Sequence, residues 1–297
     1  MDRLDAMTVL LAAVEDGSLS AASRRLGSPL ATVSRKVAEL EAHLNTQLVI
    51  RSSRRLSLTD AGRAYVASAR QILEQVDEAE RAAAGEYAAP RGDLAISAPV
   101  LFGRIHLTPI AATFLGAHPD IDLRLLLLDR PVNLLEEHID LALRIGALAD
   151  SSLIATRLGA VRRVVVASPD YLARAGEPLT PQDLADHACI TFEGASAARS
   201  WRFGEDDVAV RSRLSVNQAE ATIEAAIAGL GVTRALSYQA VQAIRDGRLK
   251  LLLQAYEPAP WPVSLIYPGQ GRLALKVRAF LDWAAPRLRE RLTEIAV

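Results

Sequence analysis

The chain has 297 residues, half of them hydrophobic, which is enough for two or three domains with substantial cores. Its formal net charge of −1 excludes a protein that binds polyanions over its whole surface, so any affinity for nucleic acid must come from a local basic patch. The single cysteine, Cys189, excludes an internal disulfide, and no secretory signal or membrane-spanning run is found, so we predict a cytoplasmic protein.

Three helices are predicted before residue 45. Apolar residues between Met7 and Val14 recur at helical spacing and predict a first helix over 3–15. A second helix is predicted over 20–26, with Ser20 as its N-cap and Gly27 supplying the positive φ of a sharp exit. A third helix is predicted over 29–44, with Ser28 as its N-cap and Pro29 at its first position.

The third helix has two different faces. An apolar stripe predicts packing on the domain core and consists of Val33, Val37, Leu40 and Leu44. The opposite face carries Ala31, Arg35 and Ala38, flanked by Thr32 and Ser34. Small and polar residues with one arginine enter a DNA major groove without steric conflict. The predicted base-reading residues are therefore Leu30, Ala31, Thr32, Ser34 and Arg35.

A basic two-stranded element is predicted next. Its strands are 49–50 and 56–58, and Arg51, Arg54 and Arg55 surround them as a wing that binds phosphates. Residues 23–63 hold eight basic and three acidic residues, a net charge of +5 in a chain of net −1. A solvated basic face is the alternative, and the helix-turn-helix spacing favours groove and phosphate binding.

A long helix capped by Thr59 or Asp60 is predicted after the wing. Alternating spacings of four and three residues form a heptad seam of Tyr65, Ala69, Ile72, Val76 and Ala79. This seam predicts pairing with a second copy of the chain, and the alternative is a helix that packs on its own domain. We therefore expect a DNA-binding domain at 1–59 and a linker and dimerisation helix with its hinge at 60–91.

From Asp93 onward strands and helices alternate. The strand candidates are DLAISA, IDLRLLLL, IDLALRI, RRVVVAS, CITF, RLSV and VSLIY. Helices are predicted over 107–115, 132–137, 180–187, 219–228, 237–246 and 273–292. The alternation predicts an α/β region with a mostly parallel sheet, and its length predicts two lobes with a cleft between them. The expected effector domain is 92–297, with lobe I at 92–162 and 267–297 and lobe II at 163–266.

Together these elements resemble a LysR-type transcriptional regulator over essentially the whole chain. The most specific segments are VSRKVAELEAHL and QLVIRSSRRLSLTDAG, and further segments similar to the family's effector domain are APVLFGRIHLTPIAATFLGAHPDIDL, DLALRIG, SPDYLARAG and GLGV. The resemblance implies a winged helix-turn-helix with its recognition helix at 29–44, a linker-helix dimer, and a periplasmic-binding-protein-like (type 2) effector domain. It also implies operator DNA, a small-molecule effector, self-assembly as a dimer or tetramer, and RNA polymerase as a partner if the protein is an activator. No cofactor, membrane partner or enzymatic activity is implied.

The chain departs from the family pattern at three positions. Leu30 stands where the family commonly has a base-reading glutamine, which favours contact with a thymine methyl over hydrogen bonding. Asn45 replaces a glycine and tolerates positive φ. Leu101 replaces a hydroxyl residue of the effector loop, which suggests a more apolar ligand or a different pose.

The effector cleft is predicted at strand ends of both lobes, where ligands of α/β sheets bind. The first group of candidates is a loop whose exposed amides hold an anion: Ser97, Ala98, Pro99, Val100 and Leu101. The remaining candidates are Arg144, Gly146, Phe192, Glu193 and Asn217. An ordinary strand-to-helix turn, or a structural role for each residue, is the alternative. Effector binding is expected to close or twist the lobes and change the spacing of two dimers on DNA.

Two other functions use the same α/β body. The presence of the N-terminal 90 residues argues against a solute-binding receptor, which would use only the two-lobed body. Against an enzyme, the five histidines lack metal-ligand spacing, and neither a nucleophile elbow nor a phosphate loop is found. Cys189 lies in an apolar strand and is interpreted as an inert buried thiol, since a redox sensor needs exposure.

Overall fold

The chain forms two compact units, Met1–Ala89 and Pro90–Val297. The computed structural model describes residues 1–51, 56–83, 89–148, 153–192, 200–204, 206–269 and 273–295.

The first unit is a small helical domain with a two-stranded wing. Its elements are α1 (Arg3–Glu15), α2 (Leu19–Arg25), α3 (Leu30–Leu44), β1 (Val49–Arg51), β2 (Leu56–Leu58) and α4 (Asp60–Ala83). The two strands pair antiparallel. Leu10, Val37 and Leu40 are fully buried in one core formed by α1, α2, α3, the wing and the start of α4. The apolar stripe of α3 thus anchors the helix on this core and leaves its opposite face outward.

The helix caps differ from the sequence-based expectations at two of three places. Ser18, rather than Ser20, caps α2, since its extended backbone lets its hydroxyl accept from the Ala21 N–H at 3.1 Å. Pro29 is itself extended and makes no capping bond, so α3 begins at Leu30 and Ser28 is not its cap. Thr59 caps α4 by accepting from the Gly62 N–H at 2.9 Å. Asn45 ends α3 with a φ of 48°, as expected for a residue in place of glycine.

The second unit is α/β throughout. Its helices are α5 (Val100–Phe102), α6 (Thr108–Ala117), α7 (Pro169–Ala175), α8 (Ala219–Ile227), α9 (Ser237–Arg245) and α10 (Leu275–Glu294). Its strands are β3 (Gly92–Ala98), β4 (Ile121–Leu127), β5 (Leu141–Ile145), β6 (Leu153–Val161), β7 (Arg163–Ala167), β8 (Ala188–Phe192), β9 (Ser200–Phe203), β10 (Asp206–Ala209), β11 (Arg211–Val216), β12 (Val232–Leu236), β13 (Lys250–Leu252) and β14 (Trp261–Pro268). A π-helical turn, Gly103–Leu107, connects α5 to α6, and the two 3-10 turns are Pro181–Asp186 and Gln254–Tyr256.

Two five-stranded sheets define two lobes. The first lobe has the strand order β4-β3-β5-β14-β6, and the second has β11-β8-β12-β7-β13. Both sheets are mixed, because β14 runs antiparallel to β5 and β6 while β7 runs antiparallel to β12 and β13. Four strands of each sheet nevertheless run in one direction, as expected for a mostly parallel sheet, and a single strand in each runs against them. The reason is that the chain crosses between the lobes twice, and each crossing delivers a strand in the reverse direction.

Two further expectations are corrected by the second unit. Lobe II was expected to extend to residue 266, but β14 pairs in the first sheet and buries Val263 and Leu265 in its core. The helix expected at 132–137 is instead a turn over 134–138. His138 at its end has a φ of 53°, which stops helical hydrogen bonding, while Leu134 is buried beneath the turn.

One segment of the described chain, Val100–Ala117, is long and apolar enough to span a membrane by length and composition. It comprises α5, the π-helical turn and α6. Phe102, Leu107 and Phe114 within it are fully buried in the core of the first lobe. The segment is therefore hydrophobic because it packs in the core of the first lobe.

Candidate DNA-binding surface and ligand cleft

The outer face of α3 presents the residues predicted to read bases. Leu30 at its first turn is 46% exposed, and Ala31, Arg35 and Ala38 are exposed along the helix. Thr32 and Ser34 beside them are half-buried. The buried stripe and the exposed face together hold this helix with its small and polar side outward, which is the shape that a DNA groove accepts.

Part of the basic charge around α3 is already paired with acidic side chains, so fewer cations are available to DNA than the sequence count suggests. Arg25 forms ion pairs with Glu15 and Asp16, each at 3.0 Å. Lys36 pairs with Asp5 at 2.6 Å. The Arg35 side chain is 70% exposed and only 3.8 Å from Glu39, a weak and screened contact that DNA can replace.

The basic wing carries the arginines that were predicted to bind phosphates. The predicted phosphate contacts Arg54 and Arg55 lie outside the described residues, and the structure places only the backbone of Arg51, at the end of β1. Their contact with DNA stays a prediction.

Glu41 fixes the wing relative to α3 and was missed by the sequence analysis. Its Oε1 accepts from the N–H groups of Leu48 and Val49 at 2.8 and 3.0 Å. These donors begin the wing, and the side chains of Leu48 and Val49 are almost fully buried. Only the folded turn after Asn45 brings the glutamate to these amides, so its charge at the end of an amphipathic helix gave no signal.

We expect Glu41→Ala to lower the free energy of unfolding of the first unit by about 1 to 2 kcal/mol, since two backbone donors lose a charged acceptor. Glu41→Gln keeps an acceptor oxygen and should cost less than about 1 kcal/mol. Urea denaturation followed by circular dichroism measures both. Equal losses in the two variants would mean that the carboxylate charge, rather than its acceptor geometry, supports the wing.

The predicted seam of α4 has two parts. Ala69 is fully buried and Tyr65 is half-buried against the core of the first unit, where burial raises the pKa of Tyr65. Ile72 is 39% exposed, and Ala79 is exposed farther along the helix. The beginning of the seam therefore packs on its own domain, and the remainder presents apolar surface.

A cleft of about 1310 Å³ lies between the two lobes of the second unit. Strand ends, loops and helix starts from both lobes line it, as expected for ligand sites in α/β folds. Five of the predicted effector residues line it: Pro99, Val100, Leu101, Arg144 and Phe192. Phe192 is 36% exposed to it, whereas Leu101 is 5% exposed and packs mainly in the core of the first lobe.

The other predicted effector residues lie elsewhere. Ser97 and Ala98 are fully buried in β3 and do not line the cleft, because side chains inside a central strand face the layers that cover the sheet. Gly146 has a φ of 113° and lies next to the ring of Trp261. Asn217 is exposed next to Gln218, which lines the cleft. Glu193 lies outside the described residues.

One amide of the loop after β3, the Val100 N–H, is not free to bind an anion, unlike the expectation of exposed amides there. The Val100 N–H at the start of α5 donates to the Asp129 carboxylate at 3.0 Å. Asp129 itself lines the cleft. A ligand anion at this loop would therefore meet a carboxylate in place of a free donor.

Among the cleft residues that the sequence analysis missed are two arginines that lie over tryptophan rings. Arg163 at the start of β7 lies over the ring of Trp261 at 4.7 Å, and Arg234 in β12 lies over the ring of Trp201 at 5.4 Å. Burial lowers the pKa of Arg163, and burial with the nearby charge of Arg163 lowers that of Arg234 to about 10. Arginines inside apolar strands were the available signal, and β12 was not among the predicted strands.

The segments that connect the lobes are held together beside the cleft. Arg162, between β6 and β7, donates two hydrogen bonds to the Glu257 carboxylate at 2.7 and 2.8 Å. Tyr238 of α9 packs edge-on against Phe102 of α5 with ring centroids 5.2 Å apart, and burial raises its pKa. These contacts define where the two lobes are joined.

The described part of the chain bears on two other chemistries, metal binding and a reactive thiol. No group of three or more His, Cys, Asp or Glu residues is arranged to hold a metal ion there. Cys189 is fully buried in β8, and burial raises the pKa of its thiol to about 12. Its thiolate is therefore scarce at neutral pH.

Family models match nearly all of the chain. Residues 4–63 match the model described as bacterial regulatory helix-turn-helix protein, lysR family, and residues 88–289 match the LysR substrate binding domain. An HTH-type transcriptional repressor of Pseudomonas aeruginosa is 34% identical over 100% of this chain and 97% of its own.

Solved structures agree over the full length. CrgA, a LysR-type transcriptional regulator from Neisseria meningitidis, is 30% identical, with a TM-score of 0.61 over 96% of this chain and 98% of its own. Full-length LysG from Corynebacterium glutamicum, solved with its effector Arg bound, has a TM-score of 0.62 over 98% of this chain and 99% of its own. At 21% identity, LysG shows the shared fold alone.

Proposed function

The chain belongs to the LysR family, whose members are DNA-binding transcriptional regulators with an effector-binding domain and not enzymes, and from this premise we propose which of its residues read DNA and which sense the effector. The outer face of α3 enters the major groove of an operator. Arg35, Ser34 and Thr32 contact base edges or lie beside them, and Leu30 contacts a thymine methyl. Arg51, Arg54 and Arg55 bind phosphates from the wing.

The observation that carries this proposal is the orientation of α3. Val33, Val37 and Leu40 are fully buried, so the helix presents Leu30, Arg35 and their small neighbours to the outside. A bulky or acidic outer face would have excluded groove entry. At the N-terminal end of α3, where recognition helices contact base edges, this outer face is neither bulky nor acidic.

The effector is proposed to bind in the cleft between the two lobes of the second unit. Val100, Arg144 and Phe192 line it from both lobes. A ligand that contacts both lobes stabilises the arrangement in which they are closer, and so shifts the protein toward that state. The expected result is a change in operator affinity, footprint or DNA bend.

Self-association is proposed along the second part of α4. Ile72 is 39% exposed on a seam that continues through Val76 and Ala79 at heptad spacing. A dimer joined there carries two copies of α3 and reads dyad-symmetric half-sites, and two such dimers form a tetramer. A protein that regulates transcription in this way works in the bacterial cytoplasm, beside DNA and RNA polymerase.

Selection of bound fragments from sheared DNA of the source genome, at physiological salt, tests the proposal. We expect enrichment of a few dyad-symmetric intergenic sites. Dyad symmetry in the enriched sites would support both the proposed dimer and the proposed recognition helix. Enrichment of sites without symmetry would contradict the dimer, and no enrichment by either the folded full chain or isolated residues 1–90 would contradict the DNA-binding assignment.

A further inference from the structure

Arg163 and Arg234 lie side by side in the cleft. They are on the adjacent antiparallel strands β7 and β12, where Leu236 pairs with Arg163 and Val165 pairs with Arg234. Paired residues of antiparallel strands share a face, and so do residues two apart along a strand, so both arginines project from one face of the second sheet. Diagonal neighbours of this kind are within reach of long side chains.

Neither arginine has a carboxylate partner among the residues that the structure describes. Arg163 stacks on Trp261, and Arg234 stacks on Trp201 and donates to the Arg202 carbonyl at 3.2 Å. Arg144, across the cleft, donates to the Val132 carbonyl at 3.2 Å. Partly buried cations without counter-charges are costly unless an anion joins them.

The described carboxylates of the cleft are already engaged elsewhere. Asp207 pairs with Arg202 at 3.3 Å, and Glu220 pairs with Arg104. Asp129 accepts from the Val100 N–H. The cleft is therefore electrically asymmetric, with Asp129 at the loop after β3 and Arg163 and Arg234 on the second lobe, neither of them in an ion pair with a described carboxylate, although the charge of Asp207 acts on Arg234.

Exposed apolar side chains, two of them planar aromatic rings, also line the cleft. Trp261 and Phe192 are 37% and 36% exposed, and Leu148 is 41% exposed. Each guanidinium group lies over an indole ring, and one N–H of Arg234 is already used on the Arg202 carbonyl. The remaining guanidinium N–H groups can match a carboxylate with two parallel hydrogen bonds.

We propose that the effector is an organic acid with a planar apolar body, whose carboxylate binds between Arg163 and Arg234 on the second lobe while its body lies against Trp261 and Phe192. The anion is thus held on the lobe opposite the loop after β3, where Asp129 would repel it. This assignment rests on the proposed function, which places the effector in the cleft, and it adds the ligand's class and orientation.

Three compounds of nearly the same shape test the charge requirement. Benzoate is an anion, benzamide is neutral and benzamidine is a cation at neutral pH. Binding to the full-length protein is measured by tryptophan fluorescence, since two of the three tryptophans, Trp201 and Trp261, line the cleft. We expect benzoate to bind and the other two compounds not to bind. Equal binding of benzamidine, or no binding of benzoate at tens of millimolar, would overturn the proposed class. Acetate, an anion without the flat body, is expected to bind more weakly than benzoate, and equal affinity would remove the apolar body from the proposal.

Variants of the arginine pair test the orientation. Arg163→Gln and Arg234→Gln are each expected to raise the dissociation constant for benzoate about 10- to 100-fold, because a charge-assisted hydrogen-bond pair is lost. Arg130→Gln is the matched control: Arg130 lines the same cleft from the first lobe, its charge is already paired with Glu137, and the affinity of this variant for benzoate should be unchanged. Unchanged affinity in both Gln variants would overturn the assignment.

A folding defect is separable from lost binding. Arg163→Lys keeps the charge and should retain part of the affinity that Arg163→Gln loses, whereas a variant that is misfolded loses its cooperative thermal unfolding as well. The measurement contains no DNA. If benzoate did not bind while the protein still selected operator sites, only the ligand class would be rejected. If benzoate bound while the protein selected no operator sites, only the DNA-binding proposal would be rejected.

Discussion

Arg35→Ala is expected to lose sequence-specific operator binding while keeping weak binding to random DNA. If the guanidinium makes two hydrogen bonds with one base, its removal costs about 1 to 3 kcal/mol of specific binding, or about 5- to 150-fold in affinity. The effect should not come through folding, since the side chain is 70% exposed and its 3.8 Å contact with Glu39 is a surface pair of little worth.

Titrations of operator and scrambled DNA at several salt concentrations measure this difference. Arg54→Ala provides the contrast, since a phosphate contact should weaken both DNAs alike and reduce the salt dependence by about one unit of slope. If Arg35→Ala weakened operator and scrambled DNA equally, Arg35 would not belong to the base-reading face.

Gly62→Ala is expected to destabilise the first unit by about 3 kcal/mol, near the upper end for overpacked sites. A Cβ on Gly62 would lie 2.0 Å from the carbonyl oxygen of Leu48. That oxygen accepts from the Thr59 N–H at 3.0 Å, and Leu48 is 1% exposed, so neither side of the contact can withdraw cheaply. The start of α4 would have to move away from the wing.

Urea denaturation with two probes isolates this effect. All three tryptophans lie beyond residue 200, so their fluorescence reports on the second unit, while circular dichroism reports on the helices of both units. We expect the helical signal of Gly62→Ala to be lost at lower urea and the tryptophan transition to stay in place. Gly116→Ala, whose added methyl meets nothing within 4 Å, is the control and should not lower stability. An unchanged transition in Gly62→Ala would show that α4 and the wing are not locked together at this contact.

Local patterns were enough for much of the first unit. The spacing of Val33, Val37 and Leu40 determined which face of α3 is buried, and so which face remains for DNA. Asn45 was correctly expected at a left-handed position, because that backbone state depends on the residue itself. Ser20 was wrong as a cap because Ser18, two residues earlier, offers an equivalent hydroxyl and only the backbone dihedrals choose between them. Ser28 was wrong because the N-cap position of α3 falls on Pro29, which makes no side-chain capping bond.

The cleft depended far more on tertiary structure. Arg144 and Phe192 were found because they lie at the ends of recognisable strands, but Ser97 lies inside β3 and does not line the cleft. Arg163 and Arg234 are 71 positions apart and become neighbours only through the pairing of β7 with β12. Asp129 reaches the Val100 amide across 29 positions, which no local pattern records.

The sequence by itself therefore determined the outward face of α3, because hydrophobic periodicity acts over a few helical turns, and its resemblance to a known family determined the class of protein and the order of its domains. Only the tertiary structure decided the mixed direction of both sheets, the lobe to which β14 belongs and the charge distribution of the cleft. These depend on pairing between distant strands, and the same residues in another strand order would place different charges at the same site.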